Sequence, residues 1–213
     1  MKRSLTLLEA RVLGVLVEKQ ATVPDTYPLS LNALTAGCNQ KNNRDPVLAA
    51  TEAEVQDAVD ELKRRSLVIE SSGSRVMRYA HNVGRVLRIP DTSVAIVATL
   101  MLRGPQTSGE LRINCERLHR FADISSVDAF LEELSARADA QGGALVAKLP
   151  RRPGEREQRW AQLLTGPPSP AELAAPAAER HDLAARVERM AGELETLHAE
   201  VAALRARLER GGL

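Results

Sequence analysis

Aromatic side chains are nearly absent from this chain. Two Phe, two Tyr and one Trp among 213 residues leave any core to Leu, Val, Ile and Ala. Two cysteines, Cys38 and Cys115, are too few for a disulfide framework or a cysteine-rich zinc site. Charge of one sign is lacking too: 29 basic side chains face 28 acidic ones, so the chain as a whole exerts little pull on a polyanion. No apolar run approaches the length that spans a bilayer. The start, Met1-Lys2-Arg3-Ser4-Leu5, resembles a signal peptide only superficially, because Glu9 and Arg11 break the apolar run that follows. A phosphate-cradling glycine loop, metal-ligand spacing and a nucleophile motif are missing, and spacing implies no partner for His81, His119, His181 or His198. These absences point to a soluble, cytoplasmic, non-enzymatic chain with no membrane partner, no cofactor and no metal.

What is present is a repeat. Thr51-x-x-Glu54 opens one copy and Ser125-x-x-Asp128 the other, each a capping box in which side-chain oxygens satisfy amides left free at a helix start. An apolar stripe at i, i+3, i+4 and i+7 follows: Val55, Ala58, Val59 and Leu62, then Val127, Phe130, Leu131 and Leu134. A short apolar strand, a polar turn and an arginine-bearing strand come after each helix. Upstream, Thr6-x-x-Glu9 starts a helix to about Gln20 with Leu5, Leu8, Val12, Val15 and Leu16 on its buried face. Two prolines and Asp25 make Val23–Pro28 a loop, and Ser30–Cys38 reads as a second helix closed near Gly37. In the second copy Val94, Val97, Ala98 and Met101 mark the first helix, Gly104-Pro105 breaks it, and Thr107-x-x-Glu110 caps the next. Leu111 and Cys115 there mirror Leu34 and Cys38.

Three helices followed by a hairpin is the winged-helix order. The expected fold class is mainly α with small β-hairpins (α+β): two tandem winged-helix, helix-turn-helix domains at 1–88 and 89–165, and a Pro/Ala-rich linker at 166–180. A coiled coil at 181–210 completes the chain. In that last segment Leu183, Val187, Met190, Leu194, Leu197, Val201, Leu204 and Leu208 keep alternate spacings of four and three, an a/d seam. Leu or Met at every d position and Val at two a positions favour a parallel homodimer; a single amphipathic helix folding back on a domain is the alternative.

Winged helices usually place the third helix in the DNA major groove and a wing along the backbone. Here the first such helix presents Glu52, Glu54, Asp57, Asp60 and Glu61, which would approach phosphates of like sign. Cations lie elsewhere: Lys148, Arg151, Arg152, Arg156 and Arg159 around the second hairpin, and Arg75 and Arg78 on the first. The connector Asn39-Gln40-Lys41-Asn42-Asn43-Arg44 offers amides and cations suited to phosphates and base edges, or to a turn that bonds its own backbone. Cys38 and Cys115 read as core residues.

Leu8-Glu9-Ala10-Arg11-Val12-Leu13-Gly14, Tyr27-Pro28-Leu29-Ser30, Cys38-Asn39-Gln40-Lys41-Asn42-Asn43-Arg44-Asp45-Pro46-Val47 and Leu102-Arg103-Gly104-Pro105-Gln106-Thr107 together resemble the YceH family, bacterial proteins of unknown function. The resemblance spans about residues 5–165. It implies a tandem winged-helix fold and carries no activity, ligand or site residue with it. Two functions stay open. One is a dimeric regulatory protein that binds duplex DNA. The other is an adaptor for an unidentified protein partner, as in the chromosome-condensation accessory protein ScpB, similar to this architecture at the level of fold only.

Overall fold

Threonine oxygens start three of the helices in the computed structural model, which describes residues 4–71, 76–152 and 154–168. Thr6 caps α1 (Leu7–Thr22), Thr51 caps α3 (Glu52–Arg64) and Thr107 caps α6 (Ser108–Asn114). In each, the Glu three residues on returns a hydrogen bond to the capping amide, which completes the box. Ser30 caps α2 (Leu31–Cys38). The remaining helices are α4 (Val83–Leu87), α5 (Asp91–Arg103) and α7 (Ile124–Ser135). α7 corrects the expected Ser125 box. Its cap is Asp123, which accepts the Ser126 amide, while Asp128 instead accepts a hydrogen bond from the Ser108 hydroxyl. α2 ends at Cys38 as expected, with Gly37 in its last turn.

Among the described residues five strands accompany the helices: β1 (Leu29–Ser30), β2 (Val68–Ser71), β3 (Arg78–His81), β4 (Val146–Lys148) and β5 (Trp160–Gln162). They form two antiparallel sheets, β1-β3-β2 and β4-β5, so the chain is α+β. The repeat extends to detail that periodicity does not reveal. Leu29, just before the α2 start, pairs with the buried Tyr79. Gln106, just before α6, bridges the buried Trp160 through bonds of 3.0 and 2.7 Å. Leu34 and Leu111, Cys38 and Cys115, and Val59 and Leu131 are all fully buried at matching places.

The two sets of elements share one continuous apolar core. α1 and α5 run through its middle. Residues Glu9 to Val17 and Ser93 to Leu102 are buried without a break, so neither helix keeps the solvent face that an apolar stripe would leave it. Close approach is possible because position 14 is glycine: a Cβ there would stand 2.8 Å from Leu102 Cγ and 3.4 Å from the Ala98 carbonyl oxygen. At the outer edge of the core, the Leu5 amide donates to the Leu164 carbonyl at 2.8 Å. Among the described residues no helix is long and apolar enough to cross a membrane.

Gly14→Ala should therefore force α1 and α5 apart and cost about 1–3 kcal/mol, the usual penalty for overpacking. A urea denaturation midpoint that does not fall would show that the crossing adjusts freely.

Candidate nucleic-acid interface

The cations singled out by sequence divide into those turned inward and those left outside. The connector between α2 and α3 is mostly inward. Asn39 clips it to the start of α3, donating to the Ala50 carbonyl at 2.7 Å and accepting the Ala50 amide at 2.8 Å. Arg44 is only 7 % exposed. Its guanidinium donates to both Glu18 carboxylate oxygens (3.1 and 2.6 Å), to Gln40 Oε1 (2.6 Å) and to the carbonyls of Asn43 and Gly37. Asn43, at φ 60°, adopts the left-handed turn that asparagine tolerates better than most residues. Lys41, Asn42 and Asn43 remain exposed at the tip.

A second arginine holds the same segment from beneath. Arg11 on α1 is fully buried and donates to the carbonyls of Cys38 (3.2 Å) and Pro46 (2.6 Å), while its Nε has no hydrogen-bond partner. Burial, with Arg44 nearby, lowers its pKa against the opposing pull of Cys38 and Asp45. The Asp45 amide donates to the Leu102 carbonyl at 2.8 Å, so the connector also docks on the end of α5. Burial pushes the Cys38 thiol up to about 12 and that of Cys115 to about 11, which suits core residues rather than nucleophiles.

The hairpins show the same division. Arg75 lies outside the described residues. Arg78 donates to the carbonyls of Thr26 (3.1 Å) and Pro28 (2.8 Å), tying β3 to the loop before β1. On the second hairpin Arg159 pairs with Glu110 at 2.8 Å and Glu155 at 3.3 Å, and donates to the Pro105 carbonyl. Lys148 pairs with Glu132 at 3.5 Å and stands over the Trp160 ring. Arg152 is half-buried, whereas Arg151 and Arg156 are exposed. The seam residues Leu183, Val187, Met190, Leu194, Leu197, Val201, Leu204 and Leu208 lie outside the described residues.

Sequence reasoning missed the segment between α6 and α7. Arg117 and Arg120 are exposed there and Arg112 is exposed in the last turn of α6, with His119 beside them and Glu110, Glu116 and Asp123 as the neighbouring acids in sequence. The segment occupies the same place in its half as the connector does in the other, directly after the paired cysteines, and that alignment is the signal that marks it. Behind its exposed Asp123 cap the following helix exposes Ile124, Ser125 and Ala129. On α3, by contrast, the acids have local work. Glu54 caps, Glu52 accepts from Asn32 at 3.1 Å, Asp60 pairs with Lys63, and Glu61 pairs with Arg64 and Arg65. Among the described residues no group of His, Cys, Asp and Glu side chains could hold a metal ion.

Burial alone would raise the Glu18 pKa, but the hydrogen bonds and charge of Arg44, with Lys19, outweigh it and hold Glu18 below the ordinary 4.5. Its contribution to stability is therefore complete above that value and is lost as pH falls through the folded pKa. Glu18→Gln should cost about 2 kcal/mol at neutral pH, less than a fully buried pair because Glu18 keeps a solvent edge. The deficit should shrink as the medium is acidified, and a pH-independent deficit in chemical denaturation would refute the ion-pair account.

Comparison with known proteins places this sequence in a family. Residues 5–155 match a family model described as "Protein of unknown function, DUF480". A UPF0502 protein of Acidovorax sp. (strain JS42) is 56 % identical over 212 residues, covering 98 % of this chain and 92 % of that one. A UPF0502 protein of Dechloromonas aromatica (strain RCB) is 57 % identical over 206 residues, covering 96 % of this chain and 94 % of that one. One from Paraburkholderia xenovorans (strain LB400) is 65 % identical over 177 residues, covering 83 % and 73 % respectively.

Proposed function

We propose that this chain, which belongs to the DUF480 family of UPF0502 proteins, is a non-enzymatic tandem winged-helix protein that binds duplex DNA as a dimer. Each half runs three helices and then an antiparallel hairpin, the order of a winged helix. The observation that carries the DNA reading is the C-terminal half. Arg112 in the last turn of α6 and Arg117 and Arg120 in the segment before α7 are all exposed, and the carboxylate presented at the start of α7 is that of its cap, Asp123. Those cations suit phosphates flanking a groove, while Ser125 and Ala129 suit base edges and thymine methyls. Arg151 and Arg156 on the second hairpin, with Lys41, Asn42 and Asn43 on the connector, add contacts. Arg44, Arg78 and Arg159 act indirectly in this reading, as residues that hold the contacting segments in place.

Fluorescence anisotropy of a labelled random duplex at ~50 and ~200 mM salt tests this. Binding should weaken steeply with salt. The variant R112A/R117A/R120A should lose at least about tenfold in affinity and flatten the salt slope by roughly three phosphate contacts. Undiminished affinity in the folded variant would remove the assignment.

The adaptor reading rests on a different observation. Ile113 at the end of α6 is 68 % exposed and Ile124 at the start of α7 is 47 % exposed, an apolar content that suits a protein surface better than a phosphate backbone. Absence of DNA binding at ~50 mM salt by a folded protein favours it.

Dimerisation rests on the a/d seam from Leu183 to Leu208. Removal of residues 180–213 should convert the protein from a dimer to a folded monomer in sedimentation velocity; an unchanged dimer would refute the seam.

A further inference from the structure

Packing α1 against α5 joins the two halves along one side and leaves a cleft between them on another. It holds about 690 Å³, within the range of small-molecule sites. Its floor is apolar: Leu13, Leu67 and Leu145 are all buried core residues, with Leu164 beside them. Its rim is cationic. Arg64 and Arg65 come from the end of α3, and Arg137 from the turn after α7. Glu61 is the one acid among the lining residues, so the charges there sum to a cationic excess.

Arg137 is the distinctive member. Its guanidinium donates to the carbonyls of Leu87 (2.8 Å), Arg88 (3.4 Å), Gly143 (3.3 Å) and Gln141 (2.5 Å). Among the described residues it forms no ion pair. Main-chain carbonyls fix its position without cancelling its charge, and a fixed, uncancelled charge above an apolar floor is the arrangement that orients an amphipathic anion.

We infer that this cleft is a ligand site for an amphipathic organic monoanion, with the apolar body on the leucine floor and a carboxylate or sulfonate head towards the arginine rim. Such a ligand touches α3 and α4 of one half and the 137–145 turn of the other. The inference is independent of DNA binding and stands or falls by itself.

Fluorescence titration of the full chain with 8-anilinonaphthalene-1-sulfonate tests it, with folding of each variant checked by circular dichroism. One saturable site with blue-shifted emission is expected. Val86→Trp, which fills the cleft from α4, and Arg65→Gln, which removes a rim charge, should each weaken binding about tenfold. Decanoate should displace the probe more strongly than decan-1-ol. No saturable binding to the folded chain overturns the inference. So does binding undiminished in both variants, or displacement by the alcohol as strong as by the acid.

Discussion

Everything else in the fold depends on two helices that have no outside. A helix on the surface of a small domain hides one stripe and wets the rest. α1 and α5 are instead covered all round for nine and ten consecutive residues, each by its own half on one side and by the other helix on the opposite side. A half removed from its neighbour would expose a helix surface built for burial, so the halves fold as one cooperative body. The glycine at position 14 lets the Leu102 side chain and the Ala98 carbonyl of α5 come directly against the α1 backbone.

Burial on this scale has an electrostatic consequence. Arg11 sits within the covered stretch of α1, and a charge that far from water survives only if polar groups surround it. The end of α2 and the connector supply them through the Cys38 and Pro46 carbonyls, while Arg44 comes back from the connector to Glu18 on the same helix as Arg11. A segment rich in amides and cations is thus largely a fastening device. Only its tip is free to meet another molecule. The same separation holds on the second hairpin, where Arg159 secures the strand to α6 and Arg151 and Arg156 face solvent.

Local signals were legible in the sequence, and signals between distant residues were not. The threonine boxes, the apolar stripes and the matched cysteines all rest on neighbours within a few residues or on an exact repeat, and each appears where expected. The Asp123 cap escaped because serine at the next positions offers an equally good hydroxyl. α4 and the short β1 strand carry too few residues for a period. The roles of Arg44 and Arg159 depend on carboxylates 26 and 49 residues away, which no spacing rule connects. Arg112, Arg117 and Arg120 were missed because they are spread over α6 and the segment after it, interleaved with Glu116, Leu118 and His119, and form no run. Only the structural match to the connector draws attention to them.

The hydrogen bond from the Leu5 amide to the Leu164 carbonyl has a topological meaning. It brings together the two places where the main chain joins and leaves the described body, so backbone connectivity there is close to that of a closed ring. A protein so arranged tolerates having its ends moved, since a short bridge across that bond replaces the old termini and a cut at an exposed turn creates new ones. The same closeness lets the body sit as an inserted module within a longer polypeptide.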